Sequence, residues 1–400
     1  MHDVAVIGGG PGGLYAARQL ARLGFDVAVF EEHATAGYPV HCTGVLAAEA
    51  FADFDIPREA VLNQLHTVRF FGPSGASIEY STPRVEAVVV DRHGFDLALC
   101  EQAKASGATI RVGARISDIH ISDSRVSITS GGQPVAEARA CILACGASYS
   151  LQRRLGLGIP PVYLQSAQIE VPALTPGPVE VHFGADIAPK GFAWVVPVCR
   201  GERSYARVGL MCDRDAREHF DRFSSRIGKR WHTIGGERPS EGPAPRNKIL
   251  PLAPIARTYA ARVLAVGDAA GLVKATTGGG IYYSLLSANV ATEVLADALR
   301  ADDLSEASLG AYERRWRSIL GDELDAQLML RRIADTLSDA DIESLFELAR
   351  TDGIMPIVRR TATFNRHRKL ILSLLGHPPA RRVLLRRALG WSGLLALAER

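Results

Sequence analysis

A buried strand that runs into a tight glycine turn and then straight into a helix leaves a chain few folds to choose from. Val4–Ile7 reads as that strand, Gly8, Gly10 and Gly13 form GxGxxG, Leu14–Leu23 reads as an amphipathic helix, and Asp26–Phe30 reads as a second strand. Glycine allows the turn to be tight, the backbone to approach a pyrophosphate, and helix and strand to pack closely. The helix's first amides and its dipole then hold the anion. Gly8, Gly10, Pro11 and Gly13 are therefore candidate contacts to a dinucleotide. Glu31 closes the second strand 23 positions after Gly8 and is the candidate acceptor for adenosine ribose hydroxyls, with Glu32 the alternative one position on.

A later buried strand, Arg262–Val266, stops at Gly267-Asp268-Ala269-Ala270-Gly271. An aspartate at the mouth of a parallel sheet can accept from a ribityl hydroxyl while the amides after it face a phosphate, which makes Gly267 and Asp268 candidate contacts to a flavin dinucleotide. Gly278, Gly279 and Gly280 precede a long apolar helix that begins at Ile281. The positive N-terminus of that helix would lie against the flavin's pyrimidine edge and favour the anionic reduced form.

Four hundred residues exceed what one compact core usually holds. Residues 1–65, 85–155 and 250–300 read as a discontinuous FAD-binding domain. Residues 66–84 and 156–249, with short alternating segments and many Pro, Gly and β-branched residues, read as an inserted substrate and catalytic sheet, and 301–400 read as helical. The expected class is α/β (α+β overall): a Rossmann-type FAD-binding domain with an inserted antiparallel-sheet substrate domain and a C-terminal helical region.

With these segments in this order, the chain resembles the geranylgeranyl reductase family, within the flavoprotein group that includes p-hydroxybenzoate hydroxylase. Over roughly residues 1–300, Asp91-Arg92-His93-Gly94-Phe95-Asp96 resembles the family's DRxxFD, Pro39-Val40-His41-Cys42-Thr43-Gly44 resembles PVxCxG, and Pro189-Lys190-Gly191-Phe192-Ala193-Trp194-Val195-Val196-Pro197 resembles PxGYxWxFP. Val273-Lys274-Ala275-Thr276-Thr277-Gly278 occupies the position of the flavin-covering loop. The resemblance implies an FAD cofactor contacted also by Cys42, Gly44 and Arg92. It further implies a pocket where Phe192 and Trp194, two apart on one strand face, wall an alkene, and a Cys42 that is either a proton donor or a small buried hydrophobe. His41 is as readily a surface residue as a participant. The chain departs from the pattern at Cys145-Gly146, where the wider group has Asp-Gly, at Ala275 in place of proline, and at Phe192 and Val196 in place of Tyr and Phe. With that Asp missing and no second nucleotide-binding βαβ unit, the electron donor stays open between NAD(P)H, ferredoxin and another external donor protein.

The implied activity is reduction of isolated prenyl C=C bonds in a geranylgeranyl lipid, a prenyl diphosphate or a polyprenyl quinone, by hydride from reduced flavin N5 plus a proton. A flavin monooxygenase or halogenase, and a redox-neutral, lycopene-cyclase-like flavoprotein, are the alternatives on the same fold. No metal site is expected, because the histidines are scattered and form neither HExxH nor a Cys/His cluster.

Six cysteines without CxxC pairing suit a reducing cytoplasm. The chain opens almost directly into a strand, without a basic leader, so a cytoplasmic location is expected, with contact at the inner face of the membrane as a further reading. That reading comes from charge: the net +3 divides into +9 for residues 359–400 and −6 for the remainder. The basic tail is either a solvated helical face or a peripheral membrane contact in which Leu370, Ile371, Leu374, Leu375 and Trp391 dip into the interface. Nucleic acid is not expected, since no recognition module accompanies the charge. Flotation with anionic liposomes separates the two readings: docking predicts recovery in the floated fraction that falls with added salt, and a solvated face predicts none.

Overall fold

Strands that are apolar on both faces need cover on both sides, and here they form the centre of a parallel sheet. In the computed structural model, which describes residues 1–173, 177–228, 244–351 and 353–386, the parallel strands lie in the order Val263–Ala265, Gln133–Leu143, His2–Ile7, Val27–Phe30 and Thr109–Arg111. Tyr259–Ala260 adds an antiparallel edge, and Val126–Ser130 and Asp118–Ile121 form an antiparallel extension of Gln133–Leu143. Ile7 stands opposite both Phe30 and Leu143, and Leu143 opposite Ala265. The strands therefore end together, and Gly8, Glu31, Ala144 and Val266 emerge along one edge, where open parallel sheets receive ligands. The helices Arg92–Ala105 and Ile281–Arg300 flank the helix Pro11–Arg22.

The second sheet has seven strands, ordered Arg246–Pro251, Tyr163–Pro172, Arg203–Cys212, Phe192–Arg200, Val179–His182, Thr67–Phe71 and Ser77–Ser81. It runs two residues past 249, because its edge strand Arg246–Pro251 pairs along Tyr163–Pro172. Alternation sorts its faces. Ala193 and Val195 join Ala167, Val208, Phe220 and Phe223 under the helix Ala216–Gly228, while Phe192, Trp194 and Val196 face the opposite way. A small third sheet comprises Val45–Ala47, Ala87–Val90 and Val61–Leu65.

A buried guanidinium bolts the second sheet to the nucleotide domain. Arg207 donates from Nε to Glu170 at 2.8 Å and from Nη1 to the carbonyls of Thr43 at 2.6 Å and Val90 at 3.0 Å. Arg200 continues the link, donating to Glu170 and to Asp91, each at 3.0 Å.

The helix Glu306–Ala334 seats Trp316 in the main core, where Nε1 donates to Thr258 Oγ1 at 2.9 Å, and Tyr312 donates to the Ala265 carbonyl at 2.7 Å. Shorter helices follow, among them Arg368–Gly376 and Pro378–Leu384. This region corrects one expectation. Ile371 and Leu375 are buried in a cluster with Ala326 and Ile333, and Leu374 packs against it, so these side chains are committed inward rather than free for a lipid interface. Leu370 is half-buried, and Trp391 lies outside the described residues. Arg360, Arg381 and Arg382 remain exposed, and no described helix is long and apolar enough to cross a membrane. Breaking a buried charged network leaves partners unpaired, so Arg207→Met is expected to destabilise the fold by about 3 kcal/mol in urea unfolding, with an unchanged unfolding slope.

Candidate active site

A cleft of about 880 Å³ runs from the first glycine turn, past the strand ends, to the free face of the second sheet. Its nucleotide end is built from backbone. A β-carbon on Gly8, whose φ is +110°, would stand 2.3 Å from the Ala144 carbonyl oxygen, and one on Gly13 would stand 2.2 Å from Gly8 O. Only glycine permits that strand-to-helix approach. Gly10 differs: nothing lies within 4 Å of where its β-carbon would be. It caps the helix Pro11–Arg22 without any side-chain hydrogen bond, so the helix's leading amides open onto empty space suited to a phosphate. Glu31 is buried and braces this turn, accepting from Gly9 N at 2.7 Å and from His33 N at 2.9 Å. Glu32 is half-exposed at the cleft edge, beside Arg115.

Midway, Asp268 projects into the cleft from a short 3-10 turn, with Lys248 Nζ 3.4 Å away. Tyr149 and Gln152 hold this turn by donating to the carbonyls of Asp268 at 2.7 Å and Ala269 at 3.0 Å. Gly278, Gly279 and Gly280 line the cleft, and the helix Ile281–Arg300 starts at Ile281 with no capping side chain and no acid in its first turn. A second positive helix end thus faces the same space. Cys145 lines it too, and burial pushes that thiol up to about 11, which keeps it protonated.

The far end is apolar. Phe70, Val179, Val181, Phe183, Phe192, Trp194 and Leu250 form its walls. Phe192 and Trp194 meet edge-on with centroids 5.9 Å apart, and Gly209 makes room for the indole, since a β-carbon there would be 2.5 Å from Trp194 Cζ2. Gln168 Oε1 accepts both from Trp194 Nε1 at 3.2 Å and from Thr43 Oγ1 at 2.8 Å. Cys42 stands beside Thr43 on the cleft wall, and its sulfur accepts from Gly44 N at 3.3 Å.

These proportions find close counterparts. The profile of the pyridine nucleotide-disulphide oxidoreductases matches residues 2–166, and that of the lycopene cyclase proteins matches residues 220–351. The chain is 32% identical over 362 residues to digeranylgeranylglycerophospholipid reductase 2 of Methanothermobacter thermautotrophicus, covering 86% of this chain and 90% of that one. This chain belongs to the geranylgeranyl reductase family. A further member, the digeranylgeranylglycerophospholipid reductase of Methanocaldococcus jannaschii, is 29% identical over 360 residues, covering 87% of this chain and 90% of its own length. Among solved structures, a geranylgeranyl bacteriochlorophyll reductase-like protein of Thermoplasma acidophilum superposes with a TM-score of 0.80 at 22% identity, covering 96% of this chain and 98% of that chain. The flavin-dependent halogenase CmlS shares the fold at a TM-score of 0.64 and 23% identity, over 95% of this chain and 76% of its own. Membership in the geranylgeranyl reductase family makes the chain an oxidoreductase, and its cofactor is FAD, for which the open glycine cradle and paired helix ends leave room.

Of the residues expected from sequence, Gly8, Gly10, Pro11, Gly13, Glu31, Glu32, Cys42, Arg92, Asp268, Gly278, Gly279, Gly280, Ile281, Phe192 and Trp194 all border the cleft. Two are placed otherwise. Gly44, with φ of +72°, lies behind the wall, where a β-carbon would stand 2.5 Å from Arg207 Nη1, and a β-carbon on Gly267 would stand 2.3 Å from Ser284 Oγ. Both serve close packing rather than lining. Arg92 pairs with Asp96 at 2.8 Å; burial opposes its charge, but Asp96 and Cys42 outweigh burial and hold it protonated. Local sequence gave no signal for Gln168 or Arg207, or for Phe364, which reaches the cleft from the C-terminal region.

Gly10 and Gly13 separate binding from folding. Gly10→Ala is expected to keep wild-type stability and lose about tenfold in FAD affinity, measured by flavin fluorescence titration. Gly13→Ala is expected to lose about 1–3 kcal/mol of stability by thermal or urea unfolding.

Proposed function

We propose that the protein saturates isolated C=C bonds in a geranylgeranyl-type lipid, with a prenyl diphosphate or a polyprenyl quinone as the related substrates. The observation that carries this reading is the continuity of the cleft: a glycine-and-helix-end cradle opens without a partition into a pocket walled by Phe70, Phe183, Phe192, Trp194 and Leu250. In the cradle, Gly8, Gly10, Pro11 and Gly13 with the amides after them take the pyrophosphate, Glu31 the ribose, and Asp268 the ribityl chain. Gly278, Gly279, Gly280 and Ile281 then face the ring system. Those residues would hold a reduced FAD, which when bound would supply the hydride for one alkene carbon.

An unactivated alkene offers no carbonyl to polarise, so orientation and dryness must do most of what the protein does. Phe192 and Trp194 hold the alkene between apolar faces, and Gln168 fixes the indole by accepting from Nε1. The second carbon requires a proton, and Cys42, on the cleft wall beside Thr43, is a thiol in position to hold one. Contact with a membrane surface, from which such lipids would be drawn, would rest on exposed guanidinium groups such as Arg360, Arg381 and Arg382 rather than on inserted leucines. The match to the lycopene cyclase profile favours one second reading, a redox-neutral reaction on a similarly apolar lipid.

Anaerobic reduction with dithionite followed by addition of geranylgeranyl lipids or prenyl quinones tests both. Flavin reoxidation with product two mass units heavier per bond is the expected result. Turnover without mass change would favour the redox-neutral reaction, and reoxidation only on admitting oxygen would sink the reductase reading for those substrates. In the same assay Cys42→Ala is expected to slow reoxidation by at least about a hundredfold, the low end of what a positioned acid contributes; unchanged turnover removes the thiol from the mechanism.

A further inference from the structure

Beside the three glycines, the cleft wall holds an amino group that the chemistry above leaves unused. Lys274 borders the cleft yet is only 3% exposed. Its backbone folds onto the glycines, with Lys274 N donating to Gly279 O at 3.1 Å and Gly278 N donating to Lys274 O at 2.8 Å. A β-carbon on Gly279 would stand 3.3 Å from Nζ, so the amine lies against the approach to the helix Ile281–Arg300. Nζ donates to Phe364 O at 3.0 Å and Asn365 Oδ1 at 3.1 Å, and sits 4.2 Å from the centre of the Phe364 ring. All of these partners are neutral. Ionised groups face it only at longer range, Glu49 next to the short helix Ala50–Asp53 and Glu323 on the helix Glu306–Ala334; His367, on the segment that carries Asn365, is drawn down to about 4 by burial and by Lys274 and is neutral. An ammonium buried without a direct counter-ion is costly, and the cost falls if negative charge enters the cleft.

We propose that Lys274 supplies the positive charge that stabilises the anionic reduced flavin, acting with the amino end of the helix Ile281–Arg300, and thereby raises the reduction potential of the bound cofactor. Asn365 is its positioning residue. It is 1% exposed, accepts from Lys274, donates from Nδ2 to Glu49 at 2.6 Å, and through its carbonyl receives the Tyr283 hydroxyl at 2.8 Å. Burial draws the Lys274 amine down to about 7, so negative charge arriving beside it draws a proton onto it.

The inference rests on the FAD reading of the cleft and is tested without substrate. Equilibrium redox titration of the FAD-loaded protein is compared for wild type, Lys274→Met and Lys274→Arg, with FAD affinity and thermal stability measured on each. Lys274→Met is expected to disfavour the reduced form at least tenfold, about 30 mV for a two-electron couple, while Lys274→Arg stays near wild type. An unshifted potential in Lys274→Met overturns the proposal, as does an equal fall in Lys274→Arg, which would trace the effect to packing. If Lys274→Met does not hold FAD, Asn365→Ala, which keeps the amine but frees it, is expected to show an intermediate fall, and an unchanged value overturns the role. Failure of the wild-type protein to bind FAD would sink the cofactor reading itself.

Discussion

The two glycine turns, whose strands share the neighbour Gln133–Leu143, also close on one serine of the helix Ile281–Arg300. A methyl group on Gly12 or on Gly267 would stand 2.3 Å from the Ser284 hydroxyl, so the helix after the first motif and the turn of the second both close on the same side chain. Interiors packed this densely tolerate little added volume. The relative position of the two motifs, some 250 residues apart in sequence, is therefore held by this contact together with the register of their strands on Gln133–Leu143. Gly267 N also donates to Ser287 Oγ one turn further along, at 3.0 Å. From that junction follow the common edge of the strand ends, the pairing of two positive helix termini and the width of the gap between them.

The parts of the site that were legible in sequence are those whose conformation is decided locally. A GxGxxG between a strand and a helix specifies its own backbone, and Phe192 and Trp194 share a face because strands alternate. What local reading could not supply was the identity of each glycine's neighbour. Gly10 looks onto open space while Gly44 looks onto Arg207 and Gly267 onto Ser284, and nothing in the spacing distinguishes them. The leucine-rich tail misled for a related reason: apolar periodicity says that Ile371 and Leu375 are covered, not by what, and the cover is the helix Glu306–Ala334 rather than lipid. Phe364 and Asn365 were invisible because their meaning comes from a contact with Lys274 across 90 residues of chain.

Two kinds of attachment tie the second sheet and the C-terminal region to this frame. Arg207 and Arg200 are polar and directional, gripping carbonyls and carboxylates in fixed geometry. The C-terminal region works by burial, with Trp316 and Tyr312 inserted beneath the strand Val263–Ala265. The first fixes where the aromatic wall stands relative to the loop Pro39–Gly44, and the second fixes the floor from which Asp268 rises. The cleft needs both, since its wall and its floor come from different sheets.

The amide oxygen of Gln168 has two lone pairs, and both are taken, one by the Thr43 hydroxyl and one by the Trp194 indole. A donor that shifts pulls the acceptor with it, and the acceptor carries the other donor. Whatever reshapes the loop around Cys42 is thus relayed to the wall that carries Trp194, so the state of one compartment is mechanically registered in the other. In such an arrangement the order in which the two ends of the cleft are filled leaves a trace in the geometry that the second arrival meets.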